Sequence, residues 1–232
     1  MGFFDPVWKT DNPSKTDKAI AKVESIVDDN LLFDIYADAP LKEVRKHAAC
    51  RIRNKAMQKT ILEQSSEPEI LFAILNQSTP DDFSSGPFDR GTLIAAFRHI
   101  DDDMLRELVR KGYDIAANKI KDKAILYQIC TDLKFFSHTP NRDHLIAIIV
   151  GRNPFDTKEE MVQLAQNTLN DYVGNHAVKE LIKHSWMTAE EIALNQSFKA
   201  KARIAAINIT TNRITLETLI NRDENILIDK AA

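Results

Sequence analysis

Glycine is scarce in this chain of 232 residues, with 6 in all, and cysteine and tryptophan number 2 each. Few glycines, and few alternating runs rich in Val or Thr, leave no convincing strand. Cys50 and Cys130 fall in helical segments beside small or apolar residues, so free buried thiols are expected rather than a disulfide. No apolar run is long enough to span a bilayer, and no charged-then-apolar leader opens the chain. Gly2 stands where a myristoyl acceptor would be, but Pro6 occupies the position that motif reserves for Ser or Thr. Charge of one sign is also missing: 31 Lys and Arg face 34 Asp and Glu, a net of −3 and a pI near 6.1. That balance argues against a global attraction to nucleic acid or anionic membrane, and a cytoplasmic protein is expected.

The motifs of chemistry are absent too. No glycine-rich loop offers to cradle phosphate, and no strained-turn motif surrounds Ser137 or Cys130 as a nucleophile. His138, His144, His176 and His184 never fall four apart on a helix, and no cysteine pair supports them. Neither a metal nor a cofactor is expected, and the chain reads as non-enzymatic.

What is present is a repeated spacing. Taking an Ile as the anchor, an Ala stands four residues before it, Asp or Asn two after it, and apolar residues five and nine after it. The clearest copies are Ala48/Ile52/Asn54/Met57/Ile61 and Ala116/Ile120/Asp122/Ile125/Ile129, with Ala96/Ile100/Asp102/Leu105/Val109 a third. Looser ones are Ile26/Asp28/Leu31/Ile35, Val173/Asn175/Val178/Ile182 and Ala205/Ile209/Ile214. Residues four apart share a helical face, so each copy describes the end of one helix and the start of the next. The Asp or Asn between them is placed to accept from the open amides of the second helix. Repeated helix–turn–helix units predict a stacked helical array. The anchors are unevenly spaced, and further copies are expected near Ile70–Leu75 and His144–Val150.

This pattern predicts helices at 15–26, 30–37, 41–52, 56–64 and 68–76, then 91–99, 103–111, 113–120 and 122–132. A last group covers 158–172, 175–184, 188–195, 198–208 and 213–221, with a capping box from Thr188 to Glu191. Irregular loops are expected near 78–91, 134–142 and 151–157, and no flexible linker divides the single array over 1–232. Phe3, Phe4 and Trp8 are expected to cover its first face, and the tail from Asn225 to cap the other.

The segment Asp38 to Ala49, with Val44, Arg45 and Ala48 in order, resembles the first helix of bacterial HEAT-like repeats. Ile26 to Leu32 looks like the start of that class's second helix, and Trp8 to Pro13 is similar to its frequent N-terminal cap. The match is clean over 20–65; farther on, Tyr113 and Ala202 stand where the Arg would be. The resemblance implies an all-α fold, a short α-solenoid of stacked HEAT-like hairpins. By analogy it also implies a scaffold for other macromolecules.

Two sets of residues are candidates for binding. Lys42, Arg45, Lys46, Arg51, Arg53, Lys55 and Lys59 form the densest basic run, against Glu43 alone. They suit an acidic peptide or a phosphate-bearing ligand, or else a solvated face with Arg45 paired to an acid of its own array. Phe83, Phe88, Phe135, Phe136 and Phe155 sit in the irregular stretches, five of 11 Phe. They would serve as anchors on a binding edge, or fold back over their own repeats. The expected function is a protein-interaction scaffold whose partner is another protein or peptide, acidic in character. The alternatives are a DNA-binding alkyl-purine glycosylase of the HEAT-like type and a lyase-type repeat protein handling a chromophore.

Overall fold

A computed structural model of the chain describes residues 6–78, 88–132 and 142–221. Phe3, Phe4, Phe83, Phe135, Phe136 and the tail from Asn225 lie outside these residues. The described residues contain fifteen α-helices and no strand. They divide into two units, Met1–Lys119 and Ile120–Ala232.

In the first unit, 3-10 turns at Val7–Lys9 and Pro13–Lys15 precede α1 (Thr16–Glu24), α2 (Asp29–Asp38), α3 (Lys42–Arg51) and α4 (Lys55–Gln64). Then come α5 (Pro68–Gln77), α6 (Arg90–Ala96), α7 (Asp102–Arg110) and α8 (Asp114–Lys119). Helices α1, α3, α5 and α7 pack in succession as one layer, and α4 packs on α6 in the other. The second unit holds α9 (Lys123–Thr131), α10 (Arg142–Gly151), α11 (Lys158–Asn167) and α12 (Asp171–Lys183). It closes with α13 (Ala189–Leu194), α14 (Ala200–Ile209) and α15 (Arg213–Asn221). There α10, α12 and α14 form one layer, while α9 meets α11 and α13 meets α15 in the second. Each unit therefore stacks helical hairpins in solenoid fashion, because the apolar stripe of a helix is covered both by its hairpin partner and by its alternate neighbours. Small residues set the spacing: a Cβ on Gly174 of α12 would meet the Ala202 backbone nitrogen of α14 at 3.2 Å.

The turns explain the repeated spacing. After α3 the chain leaves the helix at Ile52 in extended conformation, passes Arg53, and re-enters helix at Asn54. Ile52 is buried, and the Asn54 side chain accepts from the amides of Ala56 and Met57 at 2.9 and 3.3 Å. Asp28 caps α2 and Asp122 caps α9 in the same way. The third copy is out by one residue, since Asp101, and not Asp102, accepts from Met104 at 2.8 Å.

Two looser copies are corrected. Val173, Asn175 and Val178 all lie inside α12, and the chain turns earlier, at Thr168–Asn170. Ile209 is the last residue of α14, and the turn follows at Thr210–Asn212. The true copies are Leu164/Thr168/Asn170/Val173/Ala177 and Ala206/Thr210/Asn212/Thr215/Leu219, with Thr in place of Ile as the anchor. The threonine is tolerated because its hydroxyl works: Thr168 Oγ1 accepts from the Asn170 amide at 3.0 Å, and Thr210 Oγ1 from Asn212 at 3.3 Å. Ser65 does the same for Glu67 at 3.2 Å. At the Ile52 turn an outside acceptor substitutes: Asp29 takes the Arg53 and Asn54 amides at 3.1 and 2.8 Å.

The carbonyls at helix ends are met by long side chains from a later element. Arg51 donates to Ile26 O at 3.0 Å, Arg152 to Ile120 O at 3.0 Å, and Gln58 to Ile52 O at 2.7 Å. Arg45 reaches Ala39 O and Pro40 O. Tyr113 breaks the Val-Arg pattern, yet its buried hydroxyl donates to Leu75 O and Ser78 O. Beside Ala202 the arginine has moved by one place, and Arg203 Nε donates to Ala193 O at 2.9 Å.

Three helices end in a left-handed residue, Gly112, Asn153 and Ser185, with φ of 101°, 48° and 55°. At Ser185 the Trp186 amide reaches back to Leu181 O and the Ser185 amide to Ile182 O, the Schellman arrangement that glycine fills most easily. Ser185→Gly should therefore raise the denaturant midpoint, by up to about 1 kcal/mol in stability. Ile120→Asp should act in the opposite direction, since Ile120 is fully buried at its turn. An unpaired carboxylate there should cost at least about 3 kcal/mol in the same unfolding measurement.

Candidate functional site

The basic run at 42–59 spans α3, the turn after it and the first half of α4, all within the first unit. Its members meet different fates. Lys42 Nζ lies 2.7 Å from Glu69, and Lys59 Nζ 3.0 Å from Asp89. Arg45 is held by both carboxylate oxygens of Glu67, each at 3.0 Å, besides the two carbonyls it caps. Lys46 borders a shallow hollow between α3 and α5 that also includes Glu69, Phe72 and Met104. Lys55 Nζ stands 5.3 Å from the centre of the Phe88 ring.

Arg51, Arg53 and Lys55 are brought together. They line a groove of about 450 Å³ with Cys50, Gln58, Gln77 and Ser78, where the α3–α4 turn meets the end of α5. Among the described residues no carboxylate lines it. Arg51 is half-buried and fixed by its bond to Ile26 O, whereas Arg53 is exposed at the apex of its turn. Beneath the groove, Gln58 must turn its amide nitrogen toward Ile52 O, because a carbonyl only accepts. Its Oε1 is then buried without a donor, as Arg51 Nε is buried without an acceptor. Two unmet polar atoms below one groove are a local cost that the rest of the unit offsets.

The aromatic candidates distribute otherwise. Phe88 and Phe155 are 0% and 1% exposed, so both rings fold back into the core. Phe155 meets Tyr127 edge to face, with ring centres 6.3 Å apart. Trp8 is buried against the start of the first unit, as its expected covering role requires, while half-buried Trp186 stacks on His184 at 4.7 Å.

Two other hollows compete with the groove. One, of about 410 Å³, is lined by Lys9, Lys15 and Lys18, none held by an acceptor among the described residues, although Lys9 Nζ lies over Trp8. The other, about 150 Å³ in the second unit, is bounded by Asp156, Glu180, His184 and Trp186 among others. Its acids are already engaged: Asp156 by Lys123 at 2.8 Å, Glu180 by Lys183 at 3.0 Å and His184 at 3.3 Å. Burial holds His176 below the usual histidine range, and its ring contacts Asn153 Oδ1 at 3.2 Å.

Cys50 is half-buried rather than buried, and Cys130 is buried. Burial raises both thiols, Cys130 to about 12. Among the described residues no three His, Cys, Asp or Glu side chains gather as a metal site. No helix among them is long and apolar enough to cross a membrane. No family model matches the chain, and no curated protein or solved structure does.

Asp89 offers a pH test of how the basic run is neutralised. The Thr92 amide, then Lys59, hold its carboxyl down at about 2. A depressed carboxyl stabilises the fold above its ordinary value of 3.8, and that contribution is lost as pH falls toward 2. Asp89→Asn should thus lose stability near neutral pH and show a flatter decline between these two pH values than the wild type, read from urea midpoints across the range.

Proposed function

We propose that the chain is a non-enzymatic interaction module of the HEAT-like repeat type, and that its basic groove receives an acidic protein or peptide. One observation carries this reading: Arg51 and Arg53 share a groove that no carboxylate lines among the described residues, while the neighbouring Lys42, Arg45 and Lys59 are each matched with an acid. Cations kept apart from internal acids are the ones an external anion meets. The scaffold supports the same view. At the Ile52 turn Asp29 meets the Arg53 and Asn54 amides and Gln58 meets the Ile52 carbonyl, which lowers the ordering cost of binding there.

The glycosylase alternative requires a basic track along a duplex, and the pairing of Lys42, Arg45 and Lys59 interrupts it. A cytoplasmic location fits the composition and belongs to the same proposal. The experiment is fluorescence anisotropy against Glu-rich peptides and against duplex DNA over a salt series. The expected result is binding of the acidic peptides, lost in Arg53→Glu, with no DNA affinity at physiological salt. Tight duplex binding with a steep salt slope would overturn the module reading in favour of the DNA enzyme.

A further inference from the structure

We infer that Arg51 and Arg53 act as a paired clamp for one oxyanion, a carboxylate or phosphate group carried on a side chain of the bound peptide. This rests on the interaction-module reading and specifies its site. Arg51 is the last residue of α3, and Ile52 follows it in extended conformation, turned into the core, before Arg53. Both arginines line the same groove, one at the end of the helix and one in the turn that follows.

Their states are complementary. Arg51 is tethered through Nη2 to Ile26 O, and no described residue accepts from its Nη1. The Arg53 side chain makes no hydrogen bond or ion pair with any described residue, and only its backbone amide is engaged. The nearby carboxylate, Asp29, has both oxygens on the Arg53 and Asn54 amides. One guanidinium is thus held ready and the other is available to close on the ligand. Two planar forks suit the oxygens of a carboxylate or phosphate, which an ammonium meets only as a point charge.

A nucleic-acid backbone fits less well. It presents successive phosphates and needs a continuous positive track, whereas the flanking cations Lys42, Arg45 and Lys59 are neutralised by Glu69, Glu67 and Asp89. At the groove the adjacent guanidiniums of Arg51 and Arg53 make a local charge and not a continuous track.

The groove contains its own reporter. Cys50 lines it, and the other cysteine, Cys130, is buried with its thiol raised to about 12, so alkylation at mildly alkaline pH reads Cys50. The test uses the full chain and labelled Gly-Ser peptides with a short central block of Glu, phosphoserine or Gln. Anisotropy measures affinity for wild type, Arg51→Lys and Arg53→Lys, and circular dichroism checks each fold. The Glu or phosphoserine peptide should bind and slow Cys50 alkylation, and the Gln peptide should do neither. Either Lys variant should weaken binding by about tenfold although its charge is kept. The tighter of the two acidic peptides identifies the source of the oxyanion. Arg53, being exposed, carries the test should Arg51→Lys disturb the α3 end. Acidic peptides that bind both variants as tightly as wild type overturn the clamp and leave the module reading standing. Failure of every acidic peptide to bind wild type overturns both.

Discussion

Short helices leave many backbone groups without partners, and this structure is organised around meeting them. Each helix end exposes about four amides or four carbonyls, and most helices here run ten residues or fewer. The N-terminal amides are met locally by Asp28, Asn54, Asp101, Asp122, Asn170 and Asn212. The carbonyls are met at a distance, by Arg45, Arg51, Tyr113, Arg152 and Arg203. These long donors bond to carbonyls at the ends of earlier helices. Capping and stacking are thereby one interaction: a repeat completes its predecessor's backbone while covering its apolar face.

Local capping was legible in the sequence, and distant capping was not. Asn54 and Asp122 are recognisable because an Asx side chain two residues past a buried Ile has few other reasons to be there. The turns at Thr168 and Thr210 escaped because a search for an apolar anchor discards a polar residue. Both threonines are buried, with the hydroxyl turned to the amide two residues on. The Val173 copy misled for a related reason. Asn175 is exposed within α12, and four-residue apolar periodicity continues through any amphipathic helix whether or not a turn interrupts it. Arg203 shows the same limit, since a donor long enough to reach a carbonyl from a neighbouring position need not hold the motif's register.

For the candidate site, composition marked the right segment without resolving it. Seven cations between 42 and 59 look equivalent in one dimension. Three of them meet acids 22 to 30 residues away, Glu67, Glu69 and Asp89, and no local pattern announces such a pairing. The phenylalanines mislead in the opposite sense. Phe88 and Phe155 sit beside turn-forming residues, where exposure is the ordinary expectation, yet each fills the space where one repeat ends and another begins.

The middle residue of most three-residue turns stands outside these obligations. The residue before it is buried and closes one helix, and the residue after it caps the next. Between them Val27, Pro40, Arg53, Ser66, Leu169 and Thr211 are all exposed, and their side chains share no chemistry. A position whose side chain carries no folding duty accepts substitution at little cost to stability, so an array built this way presents one freely chosen residue per turn. At Arg53 that residue is charged, and it emerges beside Arg51, which the preceding repeat's carbonyl already holds in place. The device that closes the backbone of one repeat thus also orients a charge at the groove of the next. For this reason the chemistry of the edge can vary while the stack beneath it stays the same.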